Sequence, residues 1–255
     1  MRIFWQSYVD ETIGAGYLGA LRSHLAKAAL PGTTVDVHGI SPPNSYAHPL
    51  MEHRCARAMI ANAVRAEEEG YDAFVIGHFQ DSGLLEARTC VDIPVLSLGE
   101  ASLLHACQLG ARIGVVTINP RFVPWIRRQV RAYGLEHRVT GISAITFEPG
   151  EIMAAFDDPA RFDACKNDFD AKALPLVEDG CDVIVSGGGI PMLLFGRVNG
   201  HRIGEAPVLD GLPVTVMAAE TAVRLKNLNG LRLSRTGEQG KAPAAVIAEF
   251  LAPSR

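Results

Sequence analysis

The chain has 255 residues, a formal net charge of −4, and contains 48% hydrophobic and 20% charged residues. This length can bury a substantial core in one large or two modest domains, and the composition is ordinary for a soluble globular protein. The negative net charge and the lack of a Lys/Arg cluster exclude a nucleic-acid-binding surface. No apolar run approaches the roughly 18–20 residues of a membrane span, so no membrane association is expected.

The N-terminus and the cysteines indicate a cytoplasmic protein. The first residues, MRIFWQSYVDETIG, are too polar for a signal peptide. The five cysteines are odd in number and contain no CxxC motif, which is typical of free thiols in a reducing compartment.

Strands alternate with helices along the first half of the chain. β-branched or continuous apolar runs predict strands over Arg2–Gln6, Thr33–His38, Ala73–Gly77 and Pro94–Leu98. Helical spacing and end signals predict helices over Glu11–Leu30 (with Asp10 as N-cap), Met51–Glu69, Leu84–Thr89 and Glu100–Leu109.

The second half repeats this alternation. Strands are predicted over Arg112–Thr117, within Thr140–Glu148, and over Val183–Ser186 and Ala206–Asp210. Helices are predicted over Arg121–Tyr133, Asp158–Asp179, Val214–Leu228 and Pro243–Leu251, with Gly187–Gly189 as a loop. Alternating strands and helices predict an α/β fold whose parallel sheets are flanked by helices.

An internal repeat divides the chain into two similar halves. YDAFVIGHFQDSGL, which begins at Tyr71, aligns without a gap on CDVIVSGGGIPMLL, which begins at Cys181, at an offset of 110 (181 minus 71). The same offset places MRIFWQSY on ARIGVVTI, which begins at Ala111. We therefore predict two pseudo-symmetric lobes, residues 1–98 plus 209–255 and residues 99–208, with a cleft between them.

The candidate site follows from the fold class, because parallel α/β sheets bind ligands beyond the carboxyl ends of their strands. The imidazole of His78 is a natural acid/base at neutral pH, and Gly188 is its equivalent in the second half. The other candidate substrate-binding residues at these strand ends are Gln6, Ser7, Gln80, Asp81, Ser82, Thr117, Asn119, Ser186, Gly187, Gly188 and Gly189.

Structural roles are open for several of these residues. His78 could hydrogen-bond the backbone at a strand end, and Asp81 could either orient His78 or cap the following helix. The hydroxyl groups of Ser7 and Thr117 occupy equivalent places and could hold two ends of a ligand or merely cap helices. The glycine triplet could be an anion-binding nest or a turn without a ligand.

Several site classes are disfavoured by spacing. A metal site built from His78, Asp81, His105 and His201 lacks ligand spacing, so no metal is expected. The glycine triplet lacks the G-x-G-x-x-G pattern of dinucleotide sites, and neither Ser82 nor Ser186 lies in a G-x-S-x-G elbow.

Five stretches together resemble the aspartate/glutamate/hydantoin racemase superfamily, and hydantoin or allantoin racemases most closely. They are FVIGHFQDSGLLEAR, IPVLSLGEAS, ARIGVVTINPR, DGCDVIVSGGG and APVLDG. The resemblance implies two pseudo-symmetric α/β lobes with the active site between them, no cofactor, and proton transfer by two cysteines on opposite faces of the substrate.

This chain has no cysteine at either of the two positions where the family has its catalytic cysteines. His78 stands within GHFQDSGL where the family has a cysteine, and Gly188 stands within VSGGG at the second position. Because glycine has no titratable group, two-thiol racemisation is not expected.

Three functions remain. The first is an enzyme acting on a small carboxylate, hydantoin or imide through His78, as an isomerase, a decarboxylase or lyase, or a ring-opening hydrolase. The second is a non-catalytic ligand-binding member that kept the cleft. The third is a racemase using His78 with water or with His48, His53 or His201. A homo-oligomer is expected for such folds.

Overall fold

Nine strands form two sheets in the computed structural model, which describes residues 1–11, 14–42, 44 and 46–252. The first sheet has the order β2-β1-β3-β4 and the second has the order β6-β5-β7-β9-β8. All neighbouring strands are parallel except β8 and β9. The strands are β1 Arg2–Gln6, β2 Thr34–His38, β3 Ala73–Ile76, β4 Val95–Ser97, β5 Ile113–Thr117, β6 Val139–Ala144, β7 Val183–Gly187, β8 Arg202–Ile203 and β9 Ala206–Leu209.

Ten α-helices and a short 3₁₀ helix at Gly237–Gln239 connect and follow these strands in the described part of the chain. They are α1 Ala15–Ala28, α2 Pro49–Glu68, α3 Leu84–Cys90, α4 Leu98–Leu109, α5 Phe122–Ala132, α6 Pro149–Ala154, α7 Pro159–Glu178, α8 Gly189–Phe195, α9 Gly211–Asn229 and α10 Ala244–Leu251. The predicted class, α/β with two parallel sheets flanked by helices, is confirmed.

The internal repeat is present in the strand register. Ile3 of β1 pairs with Ala73 of β3, and Ile113 of β5 pairs with Val183 of β7, so each strand is displaced by 110 residues (113 minus 3, 183 minus 73). Helices α2 and α7 begin 110 residues apart and both have 20 residues. The central strands and these two helices therefore repeat at one constant offset, as the internal repeat predicts.

The hydrophobic core joins the two sheets. Because side chains alternate along a strand, Val75 and Val185 face one cluster of buried residues that spans both halves. Phe74 and Ile184 face two outer clusters, each confined to one half. Since the central cluster is shared, the boundaries of the lobes at 98/99 and 208/209 stay a prediction.

The beginning of α1 differs from the prediction. The helix starts at Ala15 with Gly14 as N-cap, and the carbonyl of Asp10 accepts the Gly14 amide at 2.9 Å, so Asp10 as N-cap was wrong. Part of the predicted helix, Thr12 and Ile13, lies outside the described residues.

The glycine triplet is not entirely a loop. Gly187 ends β7 and Gly189 begins α8, which leaves Gly188 alone between strand and helix. Helix α9 starts at Gly211, earlier than predicted, because the Asp210 carboxylate accepts the Leu212 amide at 3.0 Å. Helix α6 and strand β8 were not predicted. Among the described residues, no helix has the length and apolarity needed to cross a membrane.

We expect Gly77→Ala to lower the free energy of unfolding by about 1–3 kcal/mol, the usual cost of overpacking. A Cβ at this position would lie 2.1 Å from Nε1 of the fully buried Trp5. Gly16→Ala in α1 is the matched control, since nothing lies within 4 Å of its Cβ position. Denaturant titration checks this, and equal stability of the two variants would contradict the packing described.

Candidate active site

A cavity of about 190 Å³ lies where the sheets' carboxyl ends meet. Of the predicted site residues, it is lined by Ser7, His78, Gln80, Asn119, Gly187, Gly188 and Gly189. Its apolar wall includes Val9, Ile118, Phe122 and Ile190. The structure thus brings loops of both halves to one space, while Gln6, Asp81, Ser82, Thr117 and Ser186 lie outside its lining.

The His78 loop and the Gly188 loop are in close contact. A Cβ built on Gly189 would lie 3.4 Å from the carbonyl oxygen of Gly77, the residue before His78. The Tyr17 hydroxyl lies 3.2 Å from the same Cβ position, and Tyr17 also lines the cavity, so a tyrosine hydroxyl borders the glycine loop.

His78 is paired with a carboxylate. Its Nε2 lies 2.8 Å from Oε2 of Glu52, which also accepts the Ser82 hydroxyl at 2.8 Å. Because a carboxylate only accepts hydrogen bonds, Nε2 carries a proton, and when the ring is neutral Nδ1 keeps its lone pair. No described residue is hydrogen-bonded to Nδ1, which makes this nitrogen the available base.

Glu52 is buried but remains ionised. Burial alone would raise the pKa of its carboxyl group, yet the positive charge of His78 in its protonated form and the hydrogen bonds from His78, Ser82 and Asn44 hold that pKa below its usual value. The sequence interpretation missed Glu52, which lies in the first turn of α2. The signal that could have found it is this position, since helices of α/β folds begin near the ligand-binding edge of the sheet.

Tyr8 fixes the plane of the imidazole. The two rings stack with centroids 4.1 Å apart and an interplanar angle of 12°. The Tyr8 hydroxyl donates to the Ser82 carbonyl at 3.1 Å, which ties the ring to the loop that follows His78. His78 is therefore held by a ring contact and a carboxylate.

Ser7 and Thr117 occupy equivalent positions in the two halves, but their hydroxyl groups make different hydrogen bonds. Ser7 lines the cavity, and its Oγ accepts the Val9 amide at 3.1 Å. Thr117 is fully buried and donates to the Gly187 carbonyl at 2.8 Å. Gln6 is also fully buried, with its amide nitrogen bonded to the carbonyl oxygens of Ser7 and Gly39.

The second-half loops offer few free donors. Oδ1 of Asn119 accepts the Arg121 amide at 2.9 Å, which leaves the Asn119 amide nitrogen available to the cavity. The Gly188 amide donates to the Ser186 carbonyl at 2.9 Å and so is not available to an anion. Ser186 itself lines a different cavity, together with His201.

Asp81 anchors one half to the other. Its carboxylate accepts hydrogen bonds from the Ser97 hydroxyl, the Gly99 amide (3.0 Å), the Gln129 amide (2.6 Å) and the Tyr133 hydroxyl (2.5 Å). It neither orients His78 nor caps α3, whose N-cap is Gly83. Burial raises the pKa of Asp81 to about 6, although these four hydrogen bonds oppose the shift.

The remaining histidines and the cysteines lie away from the cavity. His48 is the N-cap of α2, His53 is exposed, and His201 is paired with Asp170 at 2.8 Å. The five cysteines are free thiols, as predicted, and none lines the cavity. Within the described ranges, no group of three or more His, Cys, Asp or Glu side chains could hold a metal ion.

Comparison with known proteins identifies a family whose sequences this chain matches. The family model for Asp/Glu/hydantoin racemases matches residues 15–219. A hydantoin racemase from Pseudomonas sp. (strain NS671) is 33% identical over 205 residues, which is 79% of each chain. A hydantoin racemase from Rhizobium meliloti is 34% identical over 164 residues, which is 64% of each chain.

Solved structures agree on the fold. An allantoin racemase from Klebsiella pneumoniae superposes with a TM-score of 0.79 at 24% identity, covering 95% of this chain and 94% of that chain. An allantoin racemase from Pseudomonas fluorescens gives a TM-score of 0.75 at 25% identity, covering 95% and 97%.

We expect Asp81→Ala to lower the free energy of unfolding by about 1–3 kcal/mol at neutral pH, because buried donors lose their acceptor. The measurement is denaturant unfolding across pH. Asp163→Ala is the control, since the exposed Asp163 has no hydrogen bond or ion pair with any described residue.

The stability difference should also depend on pH. A carboxyl group whose pKa is higher in the folded state than in the unfolded state stabilises the fold most at low pH. For an aspartate, this contribution is complete at pH values below the unfolded-state pKa of about 4. For Asp81 this contribution is lost as the pH rises through about 6. The excess stability of wild type over Asp81→Ala should therefore shrink as the pH rises, and an excess that grows would contradict the raised pKa.

Proposed function

Since the chain belongs to the Asp/Glu/hydantoin racemase family, we propose that it is a cofactor-independent enzyme in which His78 transfers a proton to or from a hydantoin or related cyclic imide. The observation that carries the proposal is the His78–Glu52 pair, 2.8 Å long, whose imidazole lines the same cavity as Gly188. The sequence matches to hydantoin racemases support the reaction class.

The cavity lining favours an uncharged ring over a small carboxylate. None of the described residues that line it is Lys, Arg, Asp or Glu. A carboxylate would lose its hydration there without gaining a counter-ion, which is costly. A hydantoin or imide is neutral, and its carbonyl oxygens can accept from the Asn119 amide and from the Ser7 hydroxyl, which also hydrogen-bonds Tyr17.

The step is a proton transfer on one face of the ring. Nδ1 of His78 takes the proton from the ring carbon beside a carbonyl group, a new N–H bond forms, and the electron pair of the broken C–H bond moves onto the carbonyl oxygen. The ionised Glu52 stabilises the imidazolium through Nε2. The reverse transfer returns a proton to the same face.

Gly188, at the position equivalent to His78, has no titratable side chain. The Tyr17 hydroxyl lies 3.2 Å from the Cβ position of Gly189, but burial raises the pKa of Tyr17, which makes this hydroxyl a poor proton donor to a substrate. A two-base racemase needs an acid on the opposite face, so we propose that the proton is exchanged with retention of configuration. Isomerisation could begin with the same transfer. In a decarboxylation the imidazolium would instead protonate the carbanion left by CO₂, and in a ring opening the imidazole would take a proton from the water that attacks a carbonyl.

We expect wild type in D₂O to exchange the ring-carbon proton of an optically pure 5-substituted hydantoin at least about 10-fold faster than optical activity decays. Proton NMR follows the exchange, circular dichroism follows the configuration, and a sample without enzyme corrects for the spontaneous reaction. Equal rates would identify a two-faced racemase. Absence of exchange, with binding retained, would identify a non-catalytic binding protein.

His78→Ala should slow the exchange by about 10²–10⁴-fold if His78 is the general base. Glu52→Gln should slow it by at least about 10-fold, because the neutral amide no longer fixes the tautomer or stabilises the imidazolium. Glu178→Gln, at an exposed position in α7, is the matched control and should keep the wild-type rate. An unchanged rate in His78→Ala would eliminate the proposed base.

A further inference from the structure

A second cavity, of about 410 Å³, lies on the other side of Glu52. Gln80 lines both cavities, and Glu52 separates them by bonding His78 of the first while lining the second. The wall of the second cavity is formed mainly by Glu52, Gln80, Trp125, Arg128, Gln129 and Tyr133.

Three polar atoms in this wall have no hydrogen-bond partner. They are Oε1 of Glu52, Nε2 of Gln80 and Oε1 of Gln129. Glu52 and Gln129 are each only 8% exposed. Because buried polar groups in native proteins are nearly always paired, two acceptors and a donor in one wall indicate a missing polar ligand.

The free charges of the cavity are of opposite sign. Glu52 supplies Oε1, the oxygen of its carboxylate that bonds neither His78 nor Ser82, whereas the carboxylate of Asp81, which also lines the cavity, is occupied by four donors. Arg128 is exposed, and its guanidinium makes no hydrogen bond or ion pair with any described residue. A simple anion would be repelled by Glu52, and a simple amine would leave Arg128 unpaired.

We propose that this cavity binds a free amino acid with an apolar side chain. The ammonium group donates to Glu52 and Gln129, and the carboxylate accepts from Arg128 and Gln80. The side chain packs against Trp125. A zwitterion satisfies both free charges and all three unpaired atoms at once.

This binding does not depend on the reaction proposed for His78. Where that reaction holds, however, the ligand would affect it, because an ammonium group on Oε1 shares with His78 the one carboxylate that stabilises the imidazolium. Glu52 would then couple the two cavities.

The direct test is titration of the full chain with L-leucine and D-leucine. The chain has two tryptophans, and because Trp5 is fully buried in the core, Trp125 is the reporter of this cavity. Trp125→Phe confirms the origin of the fluorescence signal, and calorimetry detects binding that leaves fluorescence unchanged. We expect saturable binding of one or both enantiomers with a Kd of about 1 mM or tighter.

Two truncated probes and two variants decide the outcome. 3-Methylbutylamine lacks the carboxylate of leucine and 4-methylpentanoate lacks its amine, so each should bind at least about 10-fold more weakly. Arg128→Gln should weaken leucine binding by a similar factor. Arg127→Gln, at the neighbouring exposed position outside the cavity wall, should bind like wild type. The absence of leucine binding by both methods, equal binding of 4-methylpentanoate, or wild-type affinity in Arg128→Gln would each overturn the proposal.

Discussion

The pairing of His78 with an ionised, buried Glu52 is the interaction on which the candidate chemistry depends. A buried carboxylate is stable only when its charge is compensated, and here the imidazole and the Ser82 hydroxyl both bind the same oxygen. This arrangement determines which nitrogen of the imidazole carries a proton. It also leaves the other nitrogen without a hydrogen bond to any described residue, and His78 lines a cavity without Lys, Arg, Asp or Glu in its described lining.

The duplicated fold explains why the pair has no counterpart. The backbone of each half follows the same register, yet α8 begins at Gly189, directly after β7, whereas a loop of seven residues (77–83) separates β3 from α3. The longer loop holds His78 and Asp81; the short connection consists of glycine. Asp81 then ties the loop to Gln129 and Tyr133 of the other half. The scaffold is symmetric and the functional groups are not.

Much of the architecture could be predicted from the sequence because strand periodicity and the 110-residue offset are local patterns. Both sheets and the family followed from them, and His78 and Gly188, predicted to face each other, line one cavity. Hydrogen-bond partners could not be predicted in this way: Thr117 donates to Gly187, and Asp81 binds four donors, through contacts that exist only after the halves pack. Glu52 was missed for the same reason, since 26 residues separate it from His78. The start of α1 was misplaced because an acidic residue before a helical pattern does not by itself fix a helix N-terminus.

The tautomer of His78 tests the central claim most directly. Nitrogen-15 NMR of the imidazole, assigned by the signals lost in His78→Gln, reports which ring nitrogen carries the proton when the ring is neutral. The Glu52 pairing predicts a proton on Nε2 and a bare Nδ1 in wild type, with this preference lost in Glu52→Gln. A proton on Nδ1 in the neutral ring of wild type would contradict the account, because the nitrogen that is not bonded to Glu52 could then not act as a base.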